Sequence, residues 1–295
     1  MKWRGRGGAG RIEDRRGGGG GLGGGGFPLP IGKMGGGGIG TILIVLLFLF
    51  ISSRGGGGLG VDPGTGQFQQ APGASATDLD KAPADDPAKF IDFVAGDVDA
   101  TWKKLFADSG KTYEPAIVVL YDEGVQSACG NTPSTVGPFY CPRDRKVYLD
   151  LPFMEQLQRR LNAPGDFAQA YIVAHEIGHH VQNLLGVMGD VSREQQETPD
   201  SANELSVRVE LQADCLAGIW AHSAYAQGDL LQTGDLEEGL NAAAAVGDDR
   251  IQKQSGQGVN PESFTHGTSH QRVKWFRAGF DAGDPTACDT FKGDV

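Results

Sequence analysis

The chain has 295 residues, a formal net charge of −11 and 47 glycines, and neither the charge nor the glycine is evenly spread. The first 60 residues hold 24 of the glycines and eight Lys/Arg against only Glu13 and Asp14, which puts them at +6 and the remaining 235 residues at −17. An acidic body excludes a nucleic-acid binder held by phosphate contacts, and the periodic apolar residues from Pro87 onward exclude a chain disordered throughout.

In chain order, residues 1–38 alternate glycine runs with Arg and Lys. Such a composition buries too little apolar surface to offset ordering entropy, so a disordered tail is expected. Ile39 to Ile51 follows, 13 residues without a charge inside an uncharged stretch of 19 from Gly35 to Ser53, just enough for one helical crossing of a bilayer. A buried core helix fits poorly between glycine-rich flanks, and no small-x-small cleavage site stands out after Ile51, so the reading is an uncleaved membrane anchor over 39–53. Seven Lys/Arg precede this run and only Arg54 follows closely. That bias places the amino terminus in the cytoplasm and the large domain outside. Residues 54–86, rich in Gly, Pro, Ala and Asp, read as a flexible linker.

Residues 87–295 form the expected domain. Asp86-Pro87 has the pattern of a helix cap and first-turn proline, and Phe90, Phe93, Val94, Val98, Trp102, Leu105 and Phe106 recur at helical spacing until Gly110. Ala116–Tyr121 and Lys146–Asp150 read as strands, with Phe139–Cys141 antiparallel to the second across the turn 142–145. Helical patterns follow over 166–185, 202–225, 235–254 and 269–282. Few strands among many helices indicate an α+β fold. Cys129 and Cys141 bracket a turn-rich segment and make a natural first disulfide, leaving Cys215 with Cys288; free buried thiols are the alternative.

The helix over 166–185 carries His175-Glu176-Ile177-Gly178-His179. Histidines at i and i+4 lie one above the other, so both imidazoles reach a single zinc ion, and a glutamate beside the first reaches a water in the ion's open position. Base frequencies give this pattern about 0.005 times by chance in such a chain. A hydrolytic zinc site needs a third protein ligand. Glu210 supplies it from the next helix, entered through a Ser201-to-Glu204 capping-box pattern, and Asp214, one turn on, can accept the proton on the far nitrogen of a zinc-bound imidazole. Taken alone, Glu210 and Asp214 read equally well as a solvated acidic face. His180 points about 100° away from His179 and is a poor ligand. His222 reads as a surface or packing residue, and His266 as either an oxyanion electrophile or a structural loop histidine.

The runs Gly137–Pro142, Val147–Leu151, Gly165–Tyr171, His175–Gln182, Glu210–Cys215, Asn241–Ala245, Gly247–Arg250 and Phe264–Thr268 together resemble the bacterial neutral zinc metallopeptidase family, over most of residues 87–291. The resemblance implies a membrane-anchored zinc peptidase with a zincin-like domain, two His and one Glu as ligands, and His266 rather than His270 as the carried-over histidine. The expectation is thus a Zn2+-dependent hydrolase of peptide or protein substrates, with Glu176 as general base and no nucleic-acid partner. A membrane-tethered binding or assembly module with a structural zinc is the alternative. Glu176 separates the two, because a structural site has no use for a carboxylate there and closes its fourth position with protein. Hydrolysis of cell-wall peptides would use the same chemistry.

Overall fold

The computed structural model describes residues 1–9, 11–16, 82–83, 86–122, 124–133, 136–161, 165–256 and 258–295. Its elements in chain order are β1 (Ile12–Asp14), α1 (Pro87–Asp108), β2 (Ile117–Tyr121), β3 (Gly124–Ser127), β4 (Gly130–Pro133), β5 (Phe139–Cys141) and β6 (Lys146–Asp150). Then come α2 (Leu151–Leu161), α3 (Asp166–Leu184), α4 (Val187–Glu197), α5 (Ala202–Ala226), α6 (Asp235–Ala245), α7 (Asp248–Gln254) and α8 (Ser269–Ala282). The protein is α+β, mainly helical. Its larger sheet has the order β1-β2-β6-β5, with β1, β2 and β6 parallel and β5 antiparallel at one edge. Phe139 lies directly opposite Tyr148, and their rings stack with centroids 4.7 Å apart. The β3–β4 hairpin stands apart as a second sheet.

Local chemistry explains most boundaries. Asp86 caps α1 by accepting from the Ala88 N–H at 2.8 Å, with Pro87 in the first turn. Thr268 and Gln271 form a reciprocal capping box at the start of α8. The expected box at Ser201 is absent: Ser201 ends a 3-10 turn and makes no side-chain cap, while Glu204 turns to Arg208 at 2.8 Å. The single helix expected over 235–254 is broken at 246–247. There a side chain on Gly247 would sit 2.3 Å from the Ser269 nitrogen, and Asp249 accepts from that same Ser269 N–H at 2.7 Å. Both expected disulfides are present, Cys129–Cys141 and Cys215–Cys288.

The amino-terminal residues differ most from expectation. Where a disordered tail over 1–38 was expected, residues 1–9 and 11–16 are part of the domain, and residues 10 and 17–38 lie outside the described residues. Ile12, buried, pairs with Val118 in the sheet; the Trp3 ring meets Phe90 edge-on at 5.3 Å; and the Ala9 N–H donates to the Asp92 carbonyl at 3.1 Å. The Met1 amine lies 2.7 Å from Asp166, the first residue of α3. Gly8 and Gly96 make this possible, since a Cβ on Gly96 would lie 2.8 Å from the Ala9 nitrogen. Charge is neutralised locally: Glu13 meets Arg15 at 2.6 Å and Lys146 at 2.7 Å, and Asp14 meets Arg16 at 2.6 Å. Strand β1 and the strands β2, β6 and β5 therefore form one sheet. The expected anchor at 39–53, and the linker up to residue 81, lie outside the described residues. No helix among those described is long and apolar enough to cross a membrane.

Packing of β1 yields a direct expectation. Ile12→Ala should cost about 2–4 kcal/mol of stability, as removal of a buried isoleucine does. Denaturant unfolding of the full chain measures it, and an unchanged midpoint would mean that β1 contributes nothing.

Candidate metal centre

Three helices build the site. Helix α3 brings His175, Glu176 and His179, α5 brings Glu210 and Asp214, and α8 brings Arg272. Glycines set how closely these helices approach. A Cβ on Gly178 of α3 would lie 3.1 Å from the Ala213 carbonyl oxygen of α5. Between α5 and α8 the contact is reciprocal: a Cβ on Gly218 would lie 2.0 Å from the Phe276 carbonyl oxygen, and one on Gly279 would lie 1.9 Å from that of Cys215. Any larger residue at either position would push α8, and Arg272 with it, away from the acidic pair. The Cys215–Cys288 disulfide ties α5 to the segment after α8, one residue from Asp214.

His175, His179 and Glu210 offer ligand atoms that all lie within 4.8 Å of one another. The His175 Nε2 is 3.2 Å from Glu210 Oε2 and the His179 Nε2 is 3.4 Å from Glu210 Oε1. A tetrahedral ion with bonds of ~2.0–2.1 Å holds its ligand atoms about 3.3 Å apart, so the observed spacing fits zinc. Each imidazole is held from behind through its other nitrogen. His175 Nδ1 faces Asp214 Oδ1 at 2.9 Å, and His179 Nδ1 faces Gln182 Oε1 at 2.8 Å. Gln182 is itself fixed, donating to the Val209 carbonyl at 2.8 Å and to Gln212 at 3.0 Å. This is the arrangement that leaves both Nε2 lone pairs free for a metal.

Asp214 is fully buried, so the reading of Glu210 and Asp214 as a solvated face is overturned. Burial works against its charge, but the Arg272 guanidinium and the bond from His175 hold its carboxyl below the usual carboxylate range. Glu210 lies well below that range too. Burial opposes ionisation there, and the charge of His179, bonds from His175 and His179 and, more weakly, the charge of His266 outweigh it. Glu176 goes the other way: burial pushes its carboxyl up. It is 8% exposed, and its carboxylate has no hydrogen-bond partner among the described residues, which leaves it available to water.

The remaining histidines separate cleanly. His180 is a buried strut, 3.0 Å from the Tyr140 hydroxyl through Nδ1 and 2.6 Å from the Glu114 carbonyl through Nε2. His222 packs with Nδ1 2.6 Å from the Phe280 carbonyl. His266 is buried in the loop before α8, its Nδ1 3.2 Å from Asp248 Oδ1, while Asp248 Oδ2 accepts from the Thr265 and His266 N–H groups at 2.8 and 2.7 Å. Four residues of the site were not anticipated: Tyr171, Gln182, Asp248 and Arg272. Tyr171 and Gln182 stand four residues before His175 and three after His179, on the same helix face, and that spacing was a usable signal. Asp248 falls within the Gly247–Arg250 run that carries the family resemblance, whereas nothing in the local sequence marks Arg272.

Comparison with known proteins agrees with this chemistry. The sequence profile of the family described as "Putative neutral zinc metallopeptidase" matches residues 1–291, β1 included. An Escherichia coli K12 protein, "Uncharacterized protein YpfJ", is 53% identical over 208 residues, 70% of this chain and 72% of that protein. The Mycobacterium tuberculosis H37Rv "Uncharacterized protein Rv2575" and the Mycobacterium bovis "Uncharacterized protein Mb2605" are each 46% identical over 204 residues, 66% of this chain and 67% of theirs. No solved structure matches.

Proposed function

Because the chain belongs to the neutral zinc metallopeptidase family, we propose that it is a zinc-dependent hydrolase of peptide bonds with a zincin-like site, in which His175, His179 and Glu210 hold the metal. The observation that carries this reading is the convergence of two imidazole Nε2 atoms on one carboxylate at the spacing zinc requires. Zinc, when bound, supplies a Lewis acid for the scissile carbonyl and acidifies water toward a pKa of about 7. Glu176, adjacent to a ligand and without a hydrogen-bond partner among the described residues, takes the proton of the attacking water and passes it to the leaving amine. His266, held through Nδ1 by Asp248, stabilises the oxyanion. Among the described strands β5 lies at an edge of the sheet, which supports binding of an extended peptide by strand addition there, whereas β6 has neighbours on both sides. The two disulfides support an oxidising, extracytoplasmic compartment.

The test uses the full chain. It should contain about one zinc per chain, cleave an unfolded protein substrate, stop on chelation and resume on zinc addition. One zinc per chain without cleavage of any unfolded protein or peptide library would refute the peptidase reading in favour of a structural metal.

A further inference from the structure

Arg272 lies on α8 and is only 3% exposed. A guanidinium taken that far from water costs several kcal/mol unless its donors are satisfied, and here they are. Nε donates to Asp214 Oδ2 at 2.8 Å and Nη2 to Asp214 Oδ1 at 2.9 Å, a two-point grip on one carboxylate. Nη1 reaches the Val246 carbonyl at 3.3 Å, and Nη2 also donates to the Tyr171 hydroxyl at 3.2 Å. Tyr171 in turn donates to Asp214 Oδ1, the same oxygen that faces His175 Nδ1. The guanidinium stops short of the ligands, with Nη2 3.5 Å from His175 Nδ1 and 3.8 Å from Glu210 Oε2.

The geometry points to Arg272 as a positioning residue for the metal centre: with Tyr171 it locks the Asp214 carboxylate so that His175 keeps its proton on Nδ1 and presents Nε2 to the metal. This rests on the reading of His175 as a ligand. A carboxylate held at both oxygens cannot rotate away from His175, whereas one held at a single point can. Lysine keeps the positive charge but is a point donor that cannot grip both oxygens in plane. Arg272→Lys therefore removes the orientation while retaining the charge beside the site, which separates positioning from simple electrostatics.

The experiment compares full-length wild type, R272K and Tyr171→Phe. Folded R272K should bind zinc roughly 10- to 100-fold more weakly, the range for loss of an outer partner of a metal-bound histidine, as read by competition with a chelator. In the zinc-loaded protein the His175 Nδ1 proton, slow to exchange with water in the wild type, should exchange faster in R272K. Tyr171→Phe should move both readouts the same way by a smaller factor. A merely structural ion pair would lower the melting temperature and leave both readouts at the wild-type values. Folded R272K within about twofold of wild-type affinity, with an equally slow Nδ1 proton, overturns the proposal; if R272K does not fold, the same result in Tyr171→Phe overturns it. A wild-type chain that binds no zinc would instead sink the ligand set, and one that binds zinc without cleaving peptides would sink only the peptidase reading.

Discussion

Replacing Glu176 by Gln should leave zinc content and fold at wild-type levels while cutting peptide cleavage by roughly 10²- to 10⁴-fold, the usual contribution of a positioned general base. The amide matches the carboxylate in shape but cannot take a proton. The residue is largely buried and carries no hydrogen bond to described protein groups, so the exchange strands no partner. If anything, a neutral side chain is better tolerated where burial already disfavours charge. Steady-state kinetics on a fluorogenic peptide together with elemental analysis of the same sample check the expectation. Wild-type turnover in Glu176→Gln would mean that the proton goes elsewhere.

Loss of a ligand should have an equally large effect, on binding. His175→Ala, His179→Ala and Glu210→Ala each leave two protein ligands where a tetrahedral open site needs three, and zinc should be lost from all of them on purification. Thermal unfolding gives a second view. A ligand that binds only the folded chain adds about 4 kcal/mol of stability at a thousand times its dissociation constant, so zinc should raise the melting temperature of the wild type and of Glu176→Gln but not of the three Ala variants. Undiminished zinc in all three would overturn the ligand set. His179→Ala also frees Gln182, which keeps its bonds to Val209 and Gln212 and so should hold the α3–α5 contact in place.

What could be read in the sequence beforehand was what repeats at short range. The pair His175 and His179 and the pair Glu210 and Asp214 are each one helical turn apart, and α3 and α5 begin where expected. Strands β5 and β6 agree residue for residue with the Phe139–Cys141 and Lys146–Asp150 patterns. Asp214, expected behind a histidine of the pair, lies 2.9 Å from His175 Nδ1. What escaped depends on contacts between distant segments. Strand β1 has three residues and a single apolar one, Ile12, and its carboxylates are tolerable only because Arg15, Arg16 and Lys146 surround them. Glycine and arginine composition argued for disorder, whereas the glycines at 8 and 96 serve close backbone approach. Arg272 stands 58 positions from Asp214, between two partly exposed neighbours, and only the α5–α8 packing carries it inward. The break between α6 and α7 is likewise imposed by the start of α8, not by a breaker strong enough to notice.

Arg16 and Asp86 face each other across an ion pair of 3.1 Å. They are the last described residue before, and one of the first after, the long connection between β1 and α1, so the two ends of that connection meet at one place on the surface. The chain between them therefore leaves and rejoins the domain at one point, and a change in its length need not move β1 relative to α1.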